Sequence, residues 1–107
     1  LVELVAQRFR VLSEPARIKL LDALRAGPAS VGELAARVGL SQQNASKHLG
    51  VLHSAGLLER ARTGNTAQYA IADPSVFTLC ELVCDALRDR YSALQAVLPP
   101  PQAPVSR

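Results

Sequence analysis

The 107 residues contain no methionine and no tryptophan, two cysteines, and four aromatic side chains in all, two Phe and two Tyr. Each shortage excludes something. Two cysteines cannot build the disulfide framework that small secreted domains rely on, so a reducing compartment is expected to hold them as thiols or metal ligands. Four aromatics are too few for the base-stacking platforms of single-strand nucleic-acid binders. No apolar run approaches the ~20 residues of a membrane span, and the opening LVELVAQRFR has neither the basic leader nor the cleavage site of a secretory signal. A cytoplasmic protein without a membrane partner is expected and, since Met is absent, one whose native start lies upstream of Leu1. No Gly-rich phosphate loop, Ser-His-Asp set or metal-ligand cluster can be assembled, so no enzyme is expected.

What is present suits one compact domain. Apolar residues make up 49% and charged residues 20%, enough for a core, with a formal charge of +3. Helical spacing of apolar residues marks a first helix over 1–12. Ser13-Glu14-Pro15 opens a second, to about residue 26, with Ile18, Leu21, Ala23 and Leu24 inward. Ser30-Val31-Gly32-Glu33 has the form of a capping box for a short third helix that Gly39 stops. Ser41 opens a fourth, with Ala45, Leu49 and Leu52 on one face, up to Gly56. The pattern then changes to period two over 57–62 and 67–72, with Leu57, Ala61, Tyr69 and Ile71 inward and Thr63-Gly64-Asn65-Thr66 as the turn. Asp73-Pro74 starts a last helix whose stripe of Val76, Cys80, Val83, Leu87, Tyr91, Leu94 and Leu98 is too apolar to stand alone. The expected fold is mainly α with a small β-hairpin, a winged helix-turn-helix over residues 1–98. A Pro-rich tail over 99–107 is expected to be extended or disordered.

The fourth helix carries the chemistry. Its outer side reads Gln42, Gln43, Ser46, Lys47 and Gly50: amides that can pair with adenine edges, a hydroxyl, a cation for phosphate and a gap for close approach. There is no acid from Gly39 to Leu58. A solvated structural helix mixes both charge signs on its outer face, whereas a helix entering a polyanion's groove cannot tolerate carboxylates. Arg60 and Arg62 share one strand face beside the polar tip, placed to reach phosphates or an adjacent minor groove. His48 lies at the edge of the buried face, where a core or phosphate hydrogen bond suits it better than a metal; His53 faces outward.

The run from Ser41 to Leu49 with its Ser46-Lys47-His48-Leu49 element, followed by Leu52, Ala55-Gly56-Leu57-Leu58 and a hairpin ending Tyr69-Ala70-Ile71, resembles the ArsR/SmtB family of winged-helix repressors. Leu12-Ser13-Glu14-Pro15-Ala16-Arg17 is similar to that family's entry to its second helix, and the likeness runs from about Arg8 to Leu87. It implies a homodimer built on the first and last helices, bound to an inverted repeat in double-stranded operator DNA and released by an inducer. By family position, Ser41, Gln42, Gln43, Asn44, Ser46, Lys47 and His48 would lie on or beside the DNA, with Arg60, Arg62, Thr63 and Asn65 from the wing. Gln42 and Ser46 are the favoured base readers; Lys47, Arg60 and Arg62 the favoured phosphate contacts.

The family's familiar metal sites do not transfer. Where arsenic and cadmium sensors carry Cys-x-Cys, the third helix here reads Val31-Gly32-Glu33-Leu34-Ala35, and no histidine follows His53. The last helix instead offers Cys80 and Cys84, one turn apart on one face with Cβ atoms about 5 to 6 Å apart. That is long for a disulfide, which wants about 3.8 Å, but workable for two sulfurs leaning toward one soft ion. No cofactor is required on this reading. Arsenite, zinc, cadmium or another thiophilic ion, or an oxidant, is a candidate inducer, and plain burial of both thiols against a dimer mate is the alternative. Two further readings stay open: a regulator without a metal site, and a thiol redox or metal-buffering protein that uses the winged helix as an interaction module.

Overall fold

In the computed structural model, residues 1–95 are described; the expected tail over 99–107 and Leu98 lie outside them. The order is α1 (Val2–Val11), α2 (Pro15–Ala23) running into a 3-10 turn (Leu24–Ala26), β1 (Ala29–Ser30), α3 (Val31–Val38), α4 (Gln42–Ser54), β2 (Leu58–Thr63), β3 (Thr66–Ile71) and α5 (Ser75–Gln95). The chain divides into two units, one from Leu1 to Asp73 and one beginning at Pro74 that contains α5.

In the first unit, leucines with no exposed surface form the core: Leu20 of α2, Leu34 of α3, Leu49 and Leu52 of α4, and Leu57. Leu12, Leu21, Leu24, Leu58 and Tyr69 add to it. On the second helix Leu21 and Leu24 are buried as expected and Ala23 is half-buried, but Ile18 is 43% exposed and Leu20 is buried in its place. Periodicity alone could not separate these neighbours: α2 packs against both α3 and α4, so its buried side is broad. The short α3 follows its sequence closely. Ser30 Oγ accepts from the Glu33 backbone N–H at 3.2 Å, and Glu33 Oε1 accepts from the Ser30 N–H at 2.9 Å.

The sheet has three antiparallel strands in the order β1-β3-β2, one more than the hairpin expected. Ala29 pairs with Tyr69 and Ser30 with Gln68. Two residues show no period, so β1 leaves no sequence signal of its own. The hairpin register runs from Leu58 opposite Ile71 to Thr63 opposite Thr66, which leaves Gly64-Asn65 as a two-residue loop. Gly64 alone takes positive φ there, +65°, the pattern of a type II′ turn.

The inward set on β2 is also corrected. Ala61 is exposed, and Leu58 rather than Ala61 shares the buried face with Tyr69. The cause lies at the end of α4, where Leu57 still belongs to the turn: its N–H donates to the Leu52 carbonyl, and its own carbonyl accepts from Ala72 N–H at 2.9 Å. Leu57 and Leu58 are therefore both buried, and the strand's alternation starts one residue later than the pattern suggests.

In the unit that begins at Pro74, α5 leaves Leu82, Val83, Leu87 and Tyr91 exposed, Leu82 by 65% and Leu87 by 59%. In the other unit, α1 likewise leaves Leu4 66% and Phe9 53% exposed. Among the described residues no helix is long and apolar enough to cross a membrane.

Candidate nucleic-acid interface

Three residues separate α3 from α4, and each has a backbone task. Gly39 stops α3 in the left-handed conformation, φ +74°, which a side chain would strain. Leu40 N–H returns to the Ala35 carbonyl at 2.9 Å. Ser41 caps α4, its Oγ accepting from the Asn44 N–H at 3.1 Å. Ala45, Leu49 and Leu52 then turn inward, so the 3.6-residue period puts the opposite side of α4 in solvent.

That outer side exposes Gln42, Gln43, Asn44, Ser46 and Lys47, and no carboxylate belongs to α4. Gln42, Gln43, Ser46 and Lys47 line a shallow open depression with Val31 of α3. Gln42 lies over Gly32, where an added Cβ would stand only 2.9 Å from Gln42 Nε2. Gly50 is half-buried, and a Cβ there would meet nothing within 4 Å. The outer face is thus polar, cationic at Lys47 and open at Gly50.

The strand register puts Arg60 opposite Tyr69 and Arg62 opposite Ala67, so both arginines occupy the sheet face that carries Leu58 and Tyr69. Both are exposed, because the hairpin runs beyond the core, and Thr63 and Asn65 are exposed at the tip. Glu59 is exposed and one residue out of phase with the arginines, which places its carboxylate on the other face.

His53 is not simply outward. It is half-buried, and its ring meets Tyr69 edge-on with centroids 6.4 Å apart, because the end of α4 packs against the sheet. His48 is half-buried as well, and its Nδ1 accepts from Arg17 Nε at 3.2 Å. Arg8 of α1 donates to the Ala55 carbonyl at the end of α4, 3.2 Å, and lies 3.5 Å from Asp73. Sequence reasoning assigned no task to Arg8, Arg17 or Gly32. Arg17 and His48 stand 31 positions apart, and no local pattern announces such a pair. A depressed carboxyl pKa occurs at Glu33, held below its ordinary value first by the Ser30 backbone N–H, then by the Ser30 hydroxyl and by Arg37.

Cys80 and Cys84 are half-buried thiols on α5. Among the described residues no group of three or more His, Cys, Asp or Glu is arranged to hold a metal ion, so the described residues of one chain do not complete a metal site.

Comparison with known proteins adds to this geometry. Residues 12–61 match the model of a helix-turn-helix domain family. An uncharacterised HTH-type transcriptional regulator of Mycobacterium tuberculosis is 39% identical over 100 residues, covering 89% of this chain and 88% of the relative. A probable mercury resistance operon repressor of Streptomyces lividans is 34% identical over 89 residues, 83% of this chain and 71% of the relative. Among solved structures, a crystal structure from M. tuberculosis superposes with a TM-score of 0.77 at 39% identity, covering 86% of this chain and 93% of the other. A solution structure from Mycobacterium bovis, described as a homodimeric winged helix-turn-helix DNA-binding domain of a possible ArsR-family transcriptional regulator, gives a TM-score of 0.73 at 30% identity over 83% of this chain and 85% of that one.

Proposed function

The chain belongs to the ArsR/SmtB family of winged helix-turn-helix DNA-binding transcriptional regulators, and on that premise we propose that it is a homodimeric cytoplasmic repressor reading an inverted-repeat operator. The observation that carries this reading is the outer face of α4, where Gln42, Gln43, Ser46 and Lys47 are all exposed and no carboxylate intervenes. Such a surface loses little on approaching a polyanion. Gln42 and Ser46 read base edges in the major groove, and Lys47 meets phosphate. Arg60 and Arg62 meet phosphates from the hairpin, while Ser41, Gln43, Asn44, His48, Thr63 and Asn65 flank these contacts.

Dimerisation accounts for the exposed apolar side chains. Leu4 and Phe9 on α1, and Leu82, Val83 and Leu87 on α5, are costly to leave in water and inexpensive to cover with a second copy. A two-fold partner sets two copies of α4 about one DNA turn apart, roughly 34 Å.

Release from DNA is assigned to Cys80 and Cys84, with a thiophilic ion or an oxidant as the signal. Soft ions need three or four ligands in most sites, so the two thiols of one chain count as half of a set that the second protomer completes. Such a signal alters operator affinity only through its unequal affinity for bound and released dimers.

The test is binding to a library of duplexes over a range of salt. A steep loss of affinity with salt, together with preference for one inverted repeat, is expected. Weak, equal binding to all duplexes would remove the proposal and favour a thiol-based protein with an interaction module. Cys80→Ser combined with Cys84→Ser should keep operator binding while abolishing release by arsenite, cadmium or peroxide; loss of the dimer instead would show that the pair only packs.

A further inference from the structure

We infer that Arg17 is a positioning residue for DNA binding: it holds the His48 imidazole in the tautomer that carries its proton on Nε2 and leaves that N–H as a donor to a backbone phosphate. The inference rests on the reading of α4 as the helix that enters the duplex.

Arg17 sits in the first turn of α2 and is half-buried. Its Nη1 donates to the Val11 carbonyl at 3.0 Å, one of the carbonyls that the end of α1 leaves without a helical partner. Its Nε donates to His48 Nδ1 at 3.2 Å. A guanidinium is a rigid planar fork, so the bond to Val11 restrains the angle at which Nε meets the ring. It has donors only and keeps its proton in proteins, so His48 Nδ1 must supply the lone pair. In the neutral ring the hydrogen then belongs to Nε2.

The other side of the ring is open. His48 Nε2 makes no hydrogen bond among the described residues, and none of their buried side-chain nitrogens or oxygens lacks a partner, so Nε2 reaches solvent. His48 follows Lys47 and lies one turn beyond exposed Asn44, at the flank of the carboxylate-free face. A phosphodiester offers acceptors alone. The Nε2–H tautomer presents it with a donor, while the opposite tautomer would set a lone pair against its oxygens. Arg17 thereby determines whether His48 attracts or repels the backbone without itself needing to touch it.

The test begins with the free protein. Long-range ¹H–¹⁵N correlation spectra at about pH 8.5, where an ordinary imidazole is neutral, should show His48 protonated at Nε2 in the parent chain and as a mixture of tautomers in Arg17→Ala. Binding is then measured on the duplex that the parent selects most tightly from a random library. His48→Ala should weaken it about tenfold, and Arg17→Ala by a comparable or smaller factor. Arg17→Ala should add less than about twofold once His48 is already Ala, because the two residues act through one contact. It should also leave the salt slope unchanged. Should Arg17→Ala fail to fold, Arg17→Lys serves instead: one ammonium cannot replace the fork between Val11 and His48, and the same tautomer mixing is expected.

A parent His48 protonated at Nδ1 would overturn the inference. Additive losses with a lower salt slope would also overturn it, since Arg17 would then be a phosphate contact itself. The parent spectrum with Nε2–H in place, but no duplex preference, would sink the reading of α4 and the phosphate role with it, leaving the Arg17–His48 bond as a packing feature.

Discussion

Ser30 closes a strand and opens a helix at one backbone position, pairing as the last residue of β1 with Gln68 of β3 and capping α3. Ser30→Ala should therefore lower stability by about 1 kcal/mol, read as a shift in the thermal or urea unfolding midpoint. The reciprocal half of the box is ionic. Because Glu33 has a carboxyl pKa lowered in the folded chain, its contribution is present above the ordinary carboxylate range and is lost as pH falls through the lowered folded value. The stability gap between the parent and Glu33→Ala should be full at neutral pH and close below about pH 4. On α4, Lys47→Ala should weaken binding to every duplex and reduce the salt slope by about one unit, whereas Gln42→Ala should relax preference at particular base pairs at a cost of about 1 to 3 kcal/mol. Gly32→Ala is a finer probe. Its methyl would crowd only the flexible end of Gln42, so melting should hardly move while base preference at the Gln42 position changes; an unaltered preference would show that the pose over Gly32 has no part in reading. The caps were legible because their partners stand three residues apart. The tie between Arg17 and His48 was not, since only the folded chain brings α2 and α4 together.

At the scale of elements, the hairpin shows how one residue of phase alters a prediction. Its turn could be read in advance, for Gly64-Asn65 between two period-two runs has few alternatives. The facing could not, because Leu57 completes the turn after α4 before β2 begins. Arg60 and Arg62 kept their shared face in spite of this, since residues two apart on a strand always do. Gly64→Ala forces a Cβ into the left-handed region and should destabilise the hairpin by about 1 to 2 kcal/mol locally. Faster hydrogen exchange at the tip should accompany weaker duplex binding, with α3 and α4 amides unaffected. Equal exchange along β2 and β3 in both proteins would mean that the turn does not limit the wing. The two-residue β1 escaped notice because pairing with β3, and no intrinsic preference of Ala29-Ser30, makes it a strand.

For the whole molecule, the sequence announced an α5 too apolar to be solitary, and the exposed Leu82, Val83 and Leu87 agree with that. What periodicity cannot specify is the surface that covers them. Val83→Glu with Leu87→Glu should convert the dimer to monomer in sedimentation velocity and cut operator affinity at least 100-fold, because half-sites would no longer be held by one particle. An unchanged sedimentation coefficient would move the interface elsewhere. β1 bears on a different matter, the freedom of this scaffold to drift. Its two rungs stitch the segment before α3 to β3, so an insertion between Ala29 and Ser30 would have to break either the ladder or the helix cap. Evolution, or a designer seeking a new operator preference, can vary the outer positions of α4 among side chains without a negative charge, but loop-length variation at that stitch is closed to both.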